Sequence, residues 1–191
     1  MTMWEESKYK MYFEEQELDG VYIIKPKIFE DNRGYFFESF RESIFFEKLN
    51  YKFVQDNEVY NKNKNIIRGL HYQLDKPQGK LIHVIAGSIM DVIVDIRTGS
   101  TNFGKHLFFK LDCKKHHLLF IPEGFAHGYL VLERNTIVKY KCTNYYDPSS
   151  EYGIKWNDSE LNINWGLENP IISNKDNSLP LLKNQQNLPH S

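Results

Sequence analysis

Ser-Ile-Met-Asp-Val-Ile-Val-Asp-Ile, the sequence of residues 88–96, is a run of β-branched side chains interrupted by two aspartates. Side chains that branch at Cβ pack well on a pleated sheet, so this run predicts a strand. Many short strands at close spacing predict an all-β sandwich or barrel, for which a jelly roll is a common arrangement. Further short runs of this kind, separated by turns, lie at 80–86, 108–111, 118–121, 128–132 and 136–144.

The N-terminal third of the chain contains the one clear helix signal. Ile44, Phe45 and Leu49 form an apolar stripe at helical spacing, in a helix that opens at Ser39 or Arg41. A single helix is too little for repeated βαβ units, so a parallel α/β architecture is disfavoured. The other predicted elements here are strands at 21–25, 35–40 and 53–60, a turn at 31–34 and a polar loop at 61–65.

Length and composition predict one domain over residues 1–191. A chain of 191 residues can bury a sizeable core, and no Gly/Ser-rich linker divides it. Residues 1–18 form a charged N-terminal extension, and the polar sequence at 183–191 predicts a frayed tail.

Charge and hydropathy exclude two classes of partner. A net charge of −1 gives no basic surface for nucleic acid, and no apolar run is long enough to span a membrane. The N-terminus lacks the apolar region of a signal peptide, which predicts a cytoplasmic protein. Cys113 and Cys142 are therefore expected to stay unpaired in a reducing compartment.

Arg-Gly-Leu-His-Tyr-Gln at 68–73, followed by Gln-Gly-Lys at 78–80, places a guanidinium, an imidazole and an ammonium group close together in sequence. Histidine titrates near neutrality, and Arg and Lys are the usual phosphate partners. The pattern predicts a site that binds an anion and moves a proton.

Each of the other candidate site residues has both a structural and a functional interpretation. Asp91 and Asp95 share one side of a strand, where either could make a structural hydrogen bond or orient a histidine. His127 lies in a turn between small residues, where a histidine can be functional or incidental. Tyr140 and Tyr146 fit the core or an interface, and a Tyr hydroxyl near cations can also act as an acid.

Metal ligation is disfavoured, although many jelly rolls hold a metal. Such a site needs two histidines one residue apart, and Gln73 stands where the second would follow His71. His116 and His117 are adjacent, which in a strand points their rings to opposite sides. The sequence therefore predicts no metal.

Three motifs together resemble the nucleotide-sugar 3,5-epimerase family: 68–73, 91–97 and 121–128, the last reading Ile-Pro-Glu-Gly-Phe-Ala-His-Gly. The resemblance implies a cupin-type jelly roll, a homodimer and no cofactor. It also implies a nucleoside-diphosphate 4-keto-6-deoxy sugar as substrate, converted for a surface polysaccharide. Supporting matches, in family order, lie at 31–34, 53–57, 145–148 with 151, 156–158 and 173–176.

The same resemblance implies roles for individual residues. His71 matches the catalytic base, Asp176 its paired carboxylate, and Tyr140 the proton donor on the opposite face of the sugar. His127 matches a second active-site histidine, with Asp91 as its carboxylate partner. The positions that match substrate contacts are Arg33, Glu38, Gln55, Asn57, Arg68, Lys80, His127, Tyr146, Glu151 and Lys175.

Two of these matches carry a more specific implication. Tyr146 is expected to stack on the nucleobase, and Gln55 and Asn57 are expected to reach the site of the neighbouring subunit. A dTDP-linked hexose is the favoured substrate over a GDP-linked sugar or a heptose.

The chemistry of such an enzyme agrees with these residue types. A C–H beside a ketone is acidic, and its removal needs a general base and groups that stabilise the enolate. Inversion needs the new proton to arrive from the other face, which His71 and Tyr140 could provide between them. Because the ketone activates both flanking carbons, the reaction needs neither a redox cofactor nor a metal.

One geometric prediction follows. Strict alternation would put Arg68 and His71 on opposite faces of a strand, so a shared cavity predicts a bulge or a strand start near Gly69.

Three alternatives remain open at this stage. The first is a single-centre epimerase, acting at C3 or C5 only on a dTDP- or GDP-linked 4-keto sugar. The second is a non-catalytic cupin that binds sugar nucleotides. The third, a metal-dependent cupin oxygenase, is remote.

Overall fold

The computed structural model describes residues 11–190 and consists of two antiparallel sheets that face each other. The six-stranded sheet has the order β1-β2-β10-β7-β12-β5, formed by Met11–Glu15, Tyr22–Pro26, Leu118–Ile121, Lys80–Ala86, Thr136–Cys142 and Gln55–Asn61. The five-stranded sheet has the order β13-β6-β11-β8-β9, formed by Glu151–Gly153, Ile67–Gln73, Phe125–Val131, Ser88–Asp95 and His106–Asp112. Successive strands change sheet repeatedly, which makes the cupin-type jelly roll that the sequence predicts.

Alternation along the strands creates an apolar layer on each side of both sheets. Ile82, Ile93 and Val138 belong to the layer between the sheets. Leu70 and Val94 belong to the layer on the outer face of the five-stranded sheet, which the segment from Ile154 to Leu182 covers. On the outer face of the six-stranded sheet, the covering element is a helix.

That helix, α1, spans Glu42–Leu49 and confirms the predicted helix. Ile44, Phe45 and Leu49 are its buried residues, which is the stripe read from the sequence. Asn50 adopts a left-handed conformation with φ 59° and ends the helix. The other helical elements of residues 11–190 are short: α2 at Asn174–Asn177 and a 3-10 turn at Leu182–Asn184.

Both ends of the described chain are bound to the fold, which differs from the predicted extension and frayed tail. Met11–Glu15 pairs with β2, and Leu18 is buried in the central layer. The Tyr72 hydroxyl donates to the carbonyl of Asn187 at 2.6 Å, and the Thr98 N–H donates to the carbonyl of Pro189 at 2.8 Å. The side chains of the tail do not predict these contacts, because its backbone carbonyl groups make them. Residues 1–10 and 191 lie outside the described residues.

The predicted strand at 35–40 is shorter than expected. Phe29–Asp31 and Gly34–Phe36, β3 and β4, form a separate hairpin around the predicted turn. The rings of Tyr35 and Phe37 contact those of His116 and His83, with centroids 4.4 and 5.8 Å apart. The hairpin therefore lies on the outer face of the six-stranded sheet, because His83 alternates with the core residues of its strand.

An open groove of about 500 Å³ lies on this outer face beside α1. Its lining includes charged residues of β5 and β12 and aromatic rings: Phe40, Asp56, Glu58, His83, Lys139 and Lys141.

The two cysteines are free thiols, as predicted. Within residues 11–190, no helix combines the length and the apolar character needed to cross a membrane.

The buried His83 makes the free energy of unfolding depend on pH. Burial, with smaller contributions from His116 and Lys139, lowers the pKa of His83 from 6.5 to about 4. Between these values the unfolded chain takes up a proton and the folded chain does not, so stability is complete above pH 6.5 and declines as the pH falls. We expect His83 to remove about 2–3 kcal/mol of unfolding free energy between pH 7 and 4.

Urea unfolding at pH 7 and 4.5, at one protein concentration, measures this loss. His83→Gln should weaken the pH dependence, whereas the exposed control His190→Gln should keep it. Equal pH dependence in wild type and His83→Gln would contradict the assignment.

Candidate active site

The inner face of the six-stranded sheet presents two rows of polar side chains at one open end. Tyr140 on β12 lies opposite Ile82 on β7 and Asn57 on β5. Cys142, two residues later, lies opposite Lys80 and Gln55 in the same way. Residues opposite each other in antiparallel strands share a face, so these side chains line one wall of a cavity.

The five-stranded sheet forms the facing wall with two histidines. His71 on β6 lies directly opposite His127 on β11. The neighbours of His71 in sequence, Leu70 and Tyr72, are both buried in the outer apolar layer. The two imidazoles therefore point inward, toward the wall that carries Tyr140.

The predicted bulge near Gly69 is confirmed. Ile67 and Leu70 both belong to the outer apolar layer although they are three residues apart, and the pairing of β6 with β11 changes register between Arg68 and His71. Gly69 has φ 109°, a conformation that side chains rarely adopt. The irregularity puts Arg68 on the same side as His71.

Two glycines let the strands approach closely at this bulge. A Cβ on Gly69 would lie 2.6 Å from the carbonyl oxygen of His127, and one on Gly128 would lie 2.6 Å from that of Arg68. The backbone contact holds the guanidinium and the two imidazoles at one position along the cavity.

Asp176 fixes both His71 and the bulge. Its Oδ1 lies 2.9 Å from His71 Nε2, and its Oδ2 accepts from the Gly69 N–H at 3.1 Å. Ser173, the N-cap of α2, accepts from the Asp176 N–H at 3.0 Å and places the carboxylate. The prediction that Asp176 pairs with His71 agrees with this geometry.

Electrostatics define the tautomer of His71. Burial raises the pKa of Asp176, but hydrogen bonding and charge from His71, with the Gly69 and Ser173 hydrogen bonds, bring the net pKa below its usual value. An ionised carboxylate only accepts, so in the neutral imidazole of His71 the proton is on Nε2 and the lone pair is on Nδ1.

The two aspartates of β8 have different partners. Asp91 is fully buried, and its Oδ2 lies 2.8 Å from Nε2 of His127. Asp95 instead binds the Arg97 side chain, with Arg97 Nη2 at 2.6 Å. Thus one carboxylate orients a histidine. The other also accepts structural hydrogen bonds from the Arg97 N–H and the Ser100 hydroxyl, so each of the two interpretations of the sequence holds for one aspartate.

Burial shifts the pKa values of Lys80 and Tyr140 on the six-stranded wall. Desolvation lowers the pKa of the Lys80 ammonium, although Cys142, Asp91 and Glu151 act in the opposite direction. Desolvation, followed by the nearby Cys142, raises the pKa of the Tyr140 hydroxyl. Tyr140 is therefore held as a protonated phenol near neutral pH.

Glu151 shows that the two walls share one cavity. It lies opposite Gln73 on β6, two residues beyond His71, and its Oε2 accepts from the Tyr146 hydroxyl. The Tyr146 N–H in turn donates to Gln55 of the six-stranded wall. The two walls therefore meet around Glu151.

Glu151 also joins two residues at the cavity mouth. Its Oε2 accepts from the Tyr146 hydroxyl at 2.7 Å and from Lys175 Nζ at 2.5 Å. All three match the predicted substrate contacts, and the structure brings them together beside His71.

Gln55 and Asn57 correct an expectation. The resemblance placed them in the neighbouring subunit's site, but both line the cavity of their own chain. The Gln55 Oε1 accepts from the Tyr146 N–H at 2.8 Å, and Asn57 lies beside Tyr140. The cause is the pairing of β5 with β12, which a sequence pattern does not specify.

Arg33 and Glu38 lie away from the cavity of their own chain. Arg33 is at the tip of the outer hairpin, with its side chain 86% exposed and paired with Asp31. Glu38 follows the hairpin and pairs with Arg41.

Sequence reasoning missed two residues that support the site. The buried Asn61 accepts from Arg68 Nε at 2.9 Å and orients the guanidinium. The buried Gln73 binds backbone groups on both sides of Tyr146. Asn61 belongs to the predicted polar loop, and Gln73 belongs to the motif at 68–73, where it stands in place of a second metal-binding histidine. The motif's even spacing, which puts Gln73 on the His71 face, was the available signal.

Among residues 11–190, no group of three or more His, Cys, Asp or Glu side chains forms a candidate metal site.

Comparison with known proteins gives the family. The family model described as dTDP-4-dehydrorhamnose 3,5-epimerase matches residues 15–184. The chain belongs to the dTDP-4-dehydrorhamnose 3,5-epimerase family. The resemblance read from the motifs is confirmed.

Relatives of this epimerase family cover nearly the whole chain. A dTDP-4-dehydrorhamnose 3,5-epimerase from Methanothermobacter thermautotrophicus is 48% identical over 177 residues, 90% of this chain and 95% of the relative. A crystal structure of dTDP-6-deoxy-D-glucose-3,5-epimerase from Legionella pneumophila, in complex with dTDP-4-keto-L-rhamnose, is 41% identical. It covers 95% of this chain and 98% of that one, with a TM-score of 0.90.

A more distant epimerase has a related activity. The 3'-monoepimerase of Streptomyces bikiniensis, in complex with dTDP-quinovose, is 27% identical with a TM-score of 0.86. It covers 92% of this chain and 91% of that one.

The glycine contact predicts a sharp difference between two substitutions. Gly128→Ala would force its Cβ against the Arg68 carbonyl and Leu70, whereas Gly166→Ala meets nothing within 4 Å and carries only the strain of φ 73°. We expect a loss of about 2 kcal/mol or more for Gly128→Ala, with reduced catalysis. Gly166→Ala should lose about 1 kcal/mol and retain activity.

Urea unfolding and steady-state kinetics on both variants measure this. Equal stability and activity in the two variants would mean that the strands tolerate separation at the bulge.

Proposed function

We propose that this protein inverts C3 and C5 of a dTDP-linked 4-keto-6-deoxyhexose, as an isomerase without a cofactor. One observation carries the proposal: His71, backed by Asp176, and the protonated Tyr140 lie on facing sheets around Glu151. This is the arrangement that inversion by two opposed proton carriers requires.

The residues account for each proton and electron pair. Nδ1 of His71 takes the proton from the carbon beside the ketone, and the C–H electrons move to the ketone oxygen as an enolate. The electrons then return to the carbon, which takes a proton from the Tyr140 hydroxyl on the other face. Solvent returns a proton to the phenolate and removes one from His71, and the cycle repeats at the second flanking carbon.

Lys80 suits the enolate as its stabilising cation. Burial lowers the pKa of its ammonium group, against the opposing effects of Cys142, Asp91 and Glu151. A developing negative charge nearby favours the ammonium, and a buried charge pair interacts strongly. The interaction therefore strengthens as the enolate forms.

The diphosphate and the base have separate binding groups. Arg68 uses its Nε for Asn61 and leaves its other N–H groups for phosphate oxygens. Tyr146 at the mouth has an exposed ring that suits stacking on a nucleobase. The relatives described above are epimerases of dTDP sugars, which supports thymine as that base. The use of the product in a surface polysaccharide stays a prediction.

A single-centre epimerase is the second candidate. The fold similarity to the Streptomyces 3'-monoepimerase favours it, but that identity is 27%, against 48% for the Methanothermobacter 3,5-epimerase. Double inversion is therefore the better supported reaction.

We also propose that the protein works as a homodimer and that Arg33 and Glu38 serve the partner's site. Both match the family's substrate contacts, yet both lie on the outer face, away from their own cavity. The exposed rings of the hairpin, Tyr35 and Phe36, border this face and suit a second copy of the chain. The cytoplasmic location and the single domain over 1–191 stay predictions.

Deuterium exchange tests the reaction. With dTDP-4-keto-6-deoxyglucose in heavy water, we expect deuterium at both C3 and C5. His71→Ala should slow exchange about 1,000-fold and keep affinity for dTDP, because only the base is lost. Tyr140→Phe should inhibit inversion, and the exposed control Tyr60→Phe should react like wild type.

Deuterium at one carbon only would establish the single-centre reaction. Binding of dTDP without exchange at either carbon would favour the non-catalytic cupin.

Subunit mixing tests the dimer. Arg33→Ala should lose activity at least about 10-fold through lost contact with the diphosphate sugar. Mixing it with inactive His71→Ala should restore about a quarter of wild-type activity, because half of the dimers are mixed and each has one intact site. No recovery after subunit exchange would place Arg33 outside the partner's site.

A further inference from the structure

Two glutamines hold the loop that carries Tyr146, one from each sheet. From the six-stranded sheet, Gln55 Oε1 accepts from the Tyr146 N–H at 2.8 Å. From the five-stranded sheet, Gln73 Nε2 donates to the Tyr145 carbonyl at 3.0 Å, and its Oε1 accepts from the Asp147 N–H at 2.9 Å. The peptide groups around Tyr146 are therefore fixed from both sides.

A second set of contacts fastens this loop to the one that follows β6. Lys76 Nζ binds Asp147 Oδ2 at 2.8 Å. Gln78 Nε2 donates to the Asn144 carbonyl at 2.8 Å, and Asn144 Nδ2 donates to the Pro77 carbonyl at 2.7 Å. Gln73 contributes to this junction too, since its Nε2 also donates to the Lys76 carbonyl.

Gln73 differs from these surface contacts in its burial. Its side chain is 6% exposed, so its hydrogen bonds form away from water. An apolar side chain there would leave the Tyr145 carbonyl and the Asp147 N–H without their buried partner. The loop would then shift toward water, and the Tyr146 ring would lose its fixed position.

We propose that Gln73 is a positioning residue that sets the affinity for the nucleobase of a nucleoside diphosphate. It acts through the Tyr145–Asp147 backbone and not by touching the substrate. The inference rests on the proposed function, in which Tyr146 stacks on that base.

The placement on β6 explains why one strand carries both tasks. His71 and Gln73 are two residues apart on β6, so their side chains lie on the same side of the strand. This strand therefore sets the distance between His71, the general base for the sugar, and the ring of Tyr146, which stacks on the nucleobase. Neither loop alone can restore that distance if it changes.

The test separates binding from chemistry. Gln73→Leu keeps the approximate volume and removes both hydrogen-bonding groups. We expect Kd for dTDP and KM for the keto sugar to rise about 10-fold, with kcat within twofold of wild type and affinity for pyrophosphate unchanged. The control Gln78→Leu, in the same junction but further from Tyr146, should change each constant less than threefold.

A double substitution gives the second readout. Tyr146→Ala should raise Kd for dTDP about as much as Gln73→Leu, and the double variant should raise it no further, because both remove one stacking contact. Where Gln73→Leu does not fold, Gln73→Asn shortens the amide and should show the same non-additivity.

Several outcomes would overturn the inference. These are equal losses for dTDP and pyrophosphate, a fall in kcat at unchanged KM, or additive effects in the double variant. Equal affinities of wild type and Gln73→Leu for dTDP would refute the role of Gln73 and leave the proposed function intact. Wild-type protein that binds no dTDP would refute the proposed function instead.

Discussion

The carboxylate of Asp176 is the contact on which the site depends, because its two oxygens join the imidazole of His71 to the backbone of Gly69. One oxygen selects the histidine tautomer, and the other holds the irregular backbone that brings Arg68 to the same side. The carboxylate is itself placed by the Ser173 cap of a four-residue helix. Loss of the Asp176 carboxylate would therefore remove a hydrogen bond from the His71 imidazole and one from the irregular backbone that places Arg68.

The jelly roll places candidate reactive groups on two facing sheets, which is the arrangement that inversion at carbon needs. Strands of one sheet present two histidines, and strands of the other present a phenol and an ammonium group, so in the proposed reaction these groups reach the sugar from opposite sides. Strand pairing within each sheet fixes the positions of these groups. The close contact of Gly69 with β11 and of Gly128 with β6 then sets the position of the reacting groups along the cavity.

Apart from β1 at Met11–Glu15, which lies in the expected N-terminal extension, the sequence predicted most of the strands, the α1 stripe and the family, because periodicity and motif order are local. It also predicted the bulge at Gly69, since two side chains of one strand had to share a face. It could not place Gln55 and Asn57, whose position depends on which strand β5 pairs with. It missed Asn61 and the bound tail for a similar reason: their partners, the Arg68 side chain and distant backbone groups, are revealed only by tertiary contacts.

The late position of Asp176 in the chain has a consequence for biosynthesis. The imidazole of His71 is made early, but its partner and the segment that covers the back of its strand come from the last part of the chain. Asp176 is synthesised 105 residues after His71, so the ribosome has made every strand of both sheets before this carboxylate exists. Orientation of the His71 imidazole therefore has to wait for a residue that follows the last strand.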